Sequence, residues 1–183
     1  MKALSLSLIA VAGLFLTAAP QLRADFIATA TLTPAADGAT NSNGSGSITL
    51  NYNAAASDFT YTLSWSNLTG PATMAHIHYA PPGVAGPIIV PFFMSTMPAT
   101  DSIAGTLTQA DVTPVAGIST IADVAAAIEA GNAYVNVHTA QYPAGELRGQ
   151  LAVSTSAVPE PASLALLGLG LLGAVPLLRR RKV

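Results

Sequence analysis

The fold class is decided by two short segments, "SITLNY" (Ser47–Tyr52) and "FTYTLSWS" (Phe59–Ser66). In both, apolar or aromatic residues alternate with serine, threonine or asparagine. This period of two is typical of a β-strand that buries one face and exposes the other to water. We therefore predict two half-buried strands.

The same interpretation extends outward along the chain. We predict further strands at "FIATATL" (Phe26–Leu32) and "SIAGTLT" (Ser102–Thr108). A polar, glycine-rich loop, "DGATNSNGSGS" (residues 37–47), lies between the first two strands.

One helix is predicted within "STIADVAAAIEAGN" (residues 119–132). Thr120 and Asp123 form a capping-box-like pair at its start, and Gly131 lies where a glycine commonly ends a helix. Many short strands with one short helix predict an all-β fold, an antiparallel Greek-key sandwich or barrel.

Two of the three histidines form an H-x-H pair in "MAHIHYAPPGVAGPIIV" (residues 74–90). On a strand, His76 and His78 share one face, so their imidazoles lie side by side as a ready pair of metal ligands. His138 follows in "AYVNVHTAQYPAGELRGQL" (residues 133–151). The alternative is that these are neutral imidazoles, hydrogen-bonded inside the sandwich.

The two ends of the chain are predicted to be targeting signals. Residues 1–24, with Lys2 before an apolar stretch, are predicted to be a cleaved signal peptide, with an uncleaved anchor as the alternative. At the other end, the uncharged residues 162–178 precede the basic cluster 179–182, which predicts a transmembrane helix with the body of the protein outside.

The C-terminal segment carries a recognisable order of features: Pro159, Glu160 and Pro161, then the apolar span, then the basic cluster. This order resembles the PEP-CTERM sorting tail of Gram-negative bacteria. The resemblance implies that an exosortase recognises and removes the tail, so that the protein passes through the inner membrane to the cell surface or extracellular matrix. A plain single-pass anchor is the alternative.

The charge of the exported body differs from that of the whole chain. Residues 25–158 contain eight acidic residues and one basic residue, Arg148, which gives a net charge near −7. This charge disfavours nucleic acid and anionic membrane surfaces as partners. The chain has no cysteine, so its stability does not come from disulfides. We expect Arg148 to be structural, bracing the turn "YPAGE" beside Glu146, with ligand recognition as the alternative.

The two histidine-bearing blocks together resemble the CHRD domain, first named for repeats in chordin, over roughly residues 25–153. The resemblance implies an all-β domain similar in shape to copper/zinc superoxide dismutase, and binding or matrix roles more often than catalysis. Three histidines without a cysteine do not fit a dual-metal dismutase. They suit a lone copper or zinc ion held by His76, His78 and His138, with Glu146 available to complete the shell.

The predicted organisation therefore has four parts: a signal peptide (1–24), a CHRD-like β domain (25–153), a linker (154–158) and the sorting tail (159–183). Our first hypothesis is a non-enzymatic surface or matrix protein that binds exopolysaccharide or other surface proteins. The second is a copper- or zinc-binding protein, with redox chemistry as an open possibility.

Overall fold

A computed structural model describes residues 24–34, 39 and 41–154. The predicted signal peptide and the predicted sorting tail with its transmembrane helix lie outside these residues. Within the described ranges, no helix has the length and apolar character needed to cross a membrane.

The described chain forms two antiparallel sheets and one α-helix. In chain order the elements are β1 (Phe26–Leu32), β2 (Ser45–Asn53), β3 (Asp58–Ser66), β4 (Ala72–Tyr79), β5 (Ile88–Phe93), β6 (Asp101–Leu107), α1 (Ile121–Glu129), β7 (Ala133–Thr139), β8 (Leu147–Gln150) and β9 (Ala152–Ser154). Sheet A has the strand order β6-β3-β2-β1-β9, and sheet B has the order β5-β4-β7-β8.

This architecture confirms the predicted antiparallel sandwich with one short helix. The two sheets do not close into a barrel, which was the other form predicted. They approach along one edge, where Thr33 and Arg148 exchange two backbone hydrogen bonds of 2.9 and 3.1 Å. The capping prediction is also confirmed, because the Thr120 hydroxyl accepts from the Asp123 amide at 3.1 Å.

The core lies between the two sheets. Leu50 and Leu63 of sheet A and Ile77 and Val137 of sheet B are fully buried there. These residues come from alternate positions of their strands, as the period of two requires. The opposite side of sheet A carries the serine and threonine residues of the alternating pattern.

Sheet B differs from sheet A because both of its faces are covered. All seven residues of β7 are buried, including those that point away from the core. Two loops, residues 80–87 and residues 140–146, lie over this second face, and we call them the covering loops. The polar side chains on this face of sheet B are buried beneath the covering loops and form a polar layer. The candidate site lies in this layer.

Candidate metal centre

The candidate site lies in this polar layer. On β7, Val135 and Val137 point into the core, so His138 points the other way, under the covering loops. The register of β4 against β7 places His138 opposite Met74 and His78 opposite Tyr134. Strand pairing thus brings together histidines that are 60 or more residues apart in the chain.

The three predicted histidines meet in this layer. One nitrogen of each ring lies within 4.8 Å of a nitrogen of the other two. His76, His78 and His138 are only 1%, 8% and 5% exposed. Nδ1 of His76 is 3.3 Å from Nε2 of His138. Two nitrogens on one tetrahedral zinc are separated by about 3.3 Å, given Zn–N bonds near 2.0–2.1 Å. The spacing of this pair therefore fits a shared ion.

The covering loops fix the tautomers of two of the rings. The Nδ1–H of His78 donates to the carbonyl oxygen of Gly86 at 2.9 Å. The Nδ1–H of His138 donates to the carbonyl oxygen of Pro143 at 3.0 Å. A carbonyl only accepts, so the single proton of each neutral ring is on Nδ1 and its lone pair is on Nε2. Metal-binding histidines are commonly oriented by an outward N–H bond of this kind.

The environment of His76 favours the neutral ring. Burial and, to a smaller extent, the neighbouring His138 and His78 together lower the pKa of His76 to about 4. The neutral ring is the form that binds a metal ion, so His76 is ready to act as a ligand at neutral pH. Its second nitrogen, Nε2, lies 3.0 Å from the sulfur of Met94.

Arg148 lies in the same layer and contacts the first covering loop. Its Nη2 donates to the carbonyl oxygen of Val84 at 2.7 Å. Its guanidinium carbon lies 3.5 Å from the centre of the Tyr134 ring, and that ring stacks on His78 at 4.8 Å between centroids. These contacts join Arg148 to the first covering loop, and the Glu146 carboxylate bonds to Ser42, Thr69 and Thr139; the structural role of Arg148 stays a prediction.

Glu146 lies outside the histidine cluster. Its carboxylate is fully buried and accepts four hydrogen bonds, from Ser42 Oγ (2.6 Å), Thr69 N (2.8 Å), Thr69 Oγ1 (2.7 Å) and Thr139 Oγ1 (2.6 Å). Burial alone would raise the pKa of Glu146, but these hydrogen bonds outweigh it and lower the pKa. Through these four hydrogen bonds, the carboxylate connects Ser42, Thr69 and β7. The structure does not place Glu146 among the three histidines, where the sequence suggested a fourth metal ligand.

Sequence reasoning missed four of the residues that build these two networks. Ser42, Thr69 and Thr139 come from separate segments, and no local pattern links them to Glu146. Met94 follows β5 in an irregular stretch, so no periodicity assigned its side chain. Only the tertiary packing brings these side chains to their partners.

Comparison with known families agrees with both resemblances. The model of the CHRD domain matches residues 28–151, more than half of the chain, and the model of the PEP-CTERM protein-sorting motif matches residues 157–182. The chain therefore belongs to the CHRD domain family. Its tail is a substrate signal for exosortase, which makes the chain an exported protein sorted through the membrane. Neither a curated protein nor a solved structure matches it.

Proposed function

We propose that this exported CHRD domain binds one transition-metal ion, zinc or copper, through His76, His78 and His138. The role is non-enzymatic, at the cell surface or in the extracellular matrix. The observation that carries the proposal is the convergence of three buried imidazoles whose ligand nitrogens lie within 4.8 Å of one another.

The hydrogen bonds around two of the rings orient them as metal ligands. Gly86 and Pro143 hold the protons of His78 and His138 on the outward nitrogens. The inward nitrogens of these two rings therefore carry lone pairs, which is the form in which an imidazole binds a metal ion. Three imidazole ligands suit zinc or copper, with water as a fourth ligand. Copper would add redox chemistry, and zinc would not.

The test is a metal titration of the purified exported protein, with bound zinc and copper measured by mass spectrometry. We expect one equivalent of metal, and loss of that equivalent in His78→Ala and His138→Ala. Gln150→Leu is the matched control, because Gln150 lies in the same polar layer but bonds to the carbonyls of Ala80 and Gly131. Substoichiometric metal in the unaltered protein would overturn the proposal.

A different observation favours a second role, as a binding module for neutral polysaccharide. The outer face of sheet A presents rows of hydroxyl groups, which we call the hydroxyl face: Thr29, Thr31, Ser45, Ser47, Thr49, Thr60, Thr62, Ser64, Ser66, Ser102 and Thr106. Two cross-strand pairs bond to each other, Ser45 with Ser66 at 3.1 Å and Ser47 with Ser64 at 3.0 Å. None of these side chains is charged, so the face complements an uncharged, hydroxyl-rich polymer.

This second role is tested by co-sedimentation with an insoluble neutral glucan and with an anionic polysaccharide. Thr49→Lys and Thr62→Lys would place ammonium groups on the hydroxyl face, and we expect them to abolish binding to the neutral polymer. Gln141→Lys adds the same charge at an exposed position of a covering loop and serves as the control. Equal binding by all of these proteins would exclude the hydroxyl face as the contact surface.

A further inference from the structure

We propose that Met94 is the third hydrogen-bond acceptor of the metal site, and that its thioether accepts a hydrogen bond from the Nε2–H of His76 when an ion binds. This inference rests on the proposed metal-binding function. It assigns Met94 as a positioning residue, which acts on the ion through His76 and does not itself ligate the ion.

The geometry of Met94 suits this role. Its Sδ lies 3.0 Å from Nε2 of His76, within contact distance for an N–H to sulfur bond. Met94 is nevertheless 64% exposed, so burial of an apolar side chain does not explain its placement beside Nε2 of His76. Met97, three residues on, packs instead against the hydrophobic core.

Each of the three histidines thereby has a hydrogen-bond acceptor beside the ring nitrogen that points away from the other two rings. Gly86 accepts the outward N–H of His78, and Pro143 accepts that of His138. For His76, the atom in the corresponding position is the Met94 sulfur. Two acceptors are backbone carbonyls, which no substitution removes, and the third is a side chain that can be replaced.

A neutral His76 ring has a single proton for its two contacts. Without an ion, the proton on Nδ1 can bond to Nε2 of His138 at 3.3 Å. When an ion is shared by these two nitrogens, both must present lone pairs to it. The proton of His76 then belongs on Nε2, from which it donates a hydrogen bond to Met94 Sδ. The ring keeps one proton throughout, and only its position changes.

Direct ligation by the sulfur would require a different arrangement. An ion shared by Met94 and His76 would bond Nε2, because that is the nitrogen beside the sulfur. Nδ1 would then keep its proton, and that proton would occupy Nε2 of His138. The ion would lose His138 as a ligand, so the contacts favour the sulfur as an acceptor.

The experiment compares zinc affinity in the exported protein and three variants, by competition with a chromophoric chelator. Met94→Leu keeps the volume and removes the acceptor, and we expect zinc affinity to fall about 10–100-fold, as for other lost partners of metal-binding histidines. Met94→Gln supplies an amide oxygen at similar length and should restore most of that affinity. Met97→Leu, the matched control, should leave affinity unchanged.

Nitrogen-15 NMR of the zinc-loaded protein provides a readout that a purely structural role would not move. We expect His76 to carry its proton on Nε2 when zinc is bound and on Nδ1 when it is absent. Each variant is first shown to be folded by circular dichroism, and the rescue by Met94→Gln separates loss of the acceptor from loss of structure.

Several results would overturn this inference, and they differ from failure of the metal site itself. Zinc binding that is equal in the unaltered protein and Met94→Leu would remove the role of Met94 and leave the site intact. A loss confined to Cu(I), with a copper–sulfur signal in X-ray absorption, would make the sulfur a ligand. Absence of both zinc and copper binding in the unaltered protein would remove the proposed function.

Discussion

Sheet A and sheet B have similar alternating sequences but opposite surroundings. Sheet A buries one face and exposes the hydroxyl face to water. Its alternating sequence therefore predicts directly which side chains are exposed. In sheet B, β7 and β8 alternate in the same way, yet their polar positions lie beneath the covering loops. His76, Asn136 and Arg148 are all buried there. Alternating polar residues therefore identify the face of a sheet that points away from the hydrophobic core. Whether that face is exposed to water depends on the loops that pack against it.

The largest expected effect on the free energy of unfolding comes from removing the buried carboxylate of Glu146, compared with a substitution on the hydroxyl face. We expect Glu146→Ala to lower the free energy of unfolding by about 3–5 kcal/mol, because four donor groups lose a fully buried acceptor. Thr62→Ala on the hydroxyl face should change it by less than about 0.5 kcal/mol. Urea denaturation measures both. Similar values for the two variants would remove the distinction between the sheets.

The next effect is the pH dependence of the metal-free protein, measured with a chelator present. The folded-state pKa of His76 is about 4, below the ordinary value near 6.5, so between these values the unfolded chain binds more protons. The free energy of unfolding is therefore unaffected by the titration of His76 above pH 6.5. It decreases as the pH falls towards 4, by at most about 3 kcal/mol.

The control for this pH effect is His76→Gln, which removes the titrating ring and should flatten that part of the curve. Sheet A has no histidine among its described strand residues, so it adds no comparable slope in this range. An identical slope in the unaltered protein and in the variant would show that other groups dominate.

A smaller effect is expected where the first covering loop meets sheet B. A Cβ on Gly86 would overlap the carbonyl group of Tyr79, which is backbone and cannot rotate away. We expect Gly86→Ala to cost about 1–3 kcal/mol and to open the loop over His78, because overpacking against fixed atoms displaces the chain. Gly70→Ala is the matched control, since a Cβ there meets no atom within 4 Å.

Two measurements test the Gly86 variant, the free energy of unfolding and the rate at which diethyl pyrocarbonate modifies the histidines. Faster modification in Gly86→Ala than in Gly70→Ala is the expected result. Equal rates would mean that the loop covers the site without depending on this close approach.

The sequence predicted sheet A better than it predicted the site, and the reason is physical. The alternation in β2 and β3 is local, so each strand can be recognised without its partners. The histidine cluster was predictable in part, because H-x-H on a strand fixes the side of His76 and His78. The partners of those rings are Gly86, Pro143 and Met94, which are loop atoms and an exposed side chain. No periodicity encodes such contacts.

The placement of Glu146 illustrates the same limit. Its distance along the chain from His138 suggested a ligand, but the chain direction reverses after β7 and carries the carboxylate to Ser42 and Thr69. Proximity in sequence predicts proximity in space only where the intervening backbone is regular. The segment between His138 and Glu146 is a turn, which is where that assumption fails.

The smallest predicted effect compares one hydroxyl on each side of the sandwich. Thr139→Val keeps the shape of the side chain and removes the 2.6 Å hydrogen bond to Glu146, so we expect a loss of about 1–3 kcal/mol. Ser64→Ala removes the exposed 3.0 Å bond to Ser47, where water replaces the lost partner, and should cost less than about 0.5 kcal/mol. Both are measured by urea denaturation at neutral pH. If the loss in Ser64→Ala equals that in Thr139→Val, the hydroxyl face stabilises the fold and is not simply a solvated surface available to a partner.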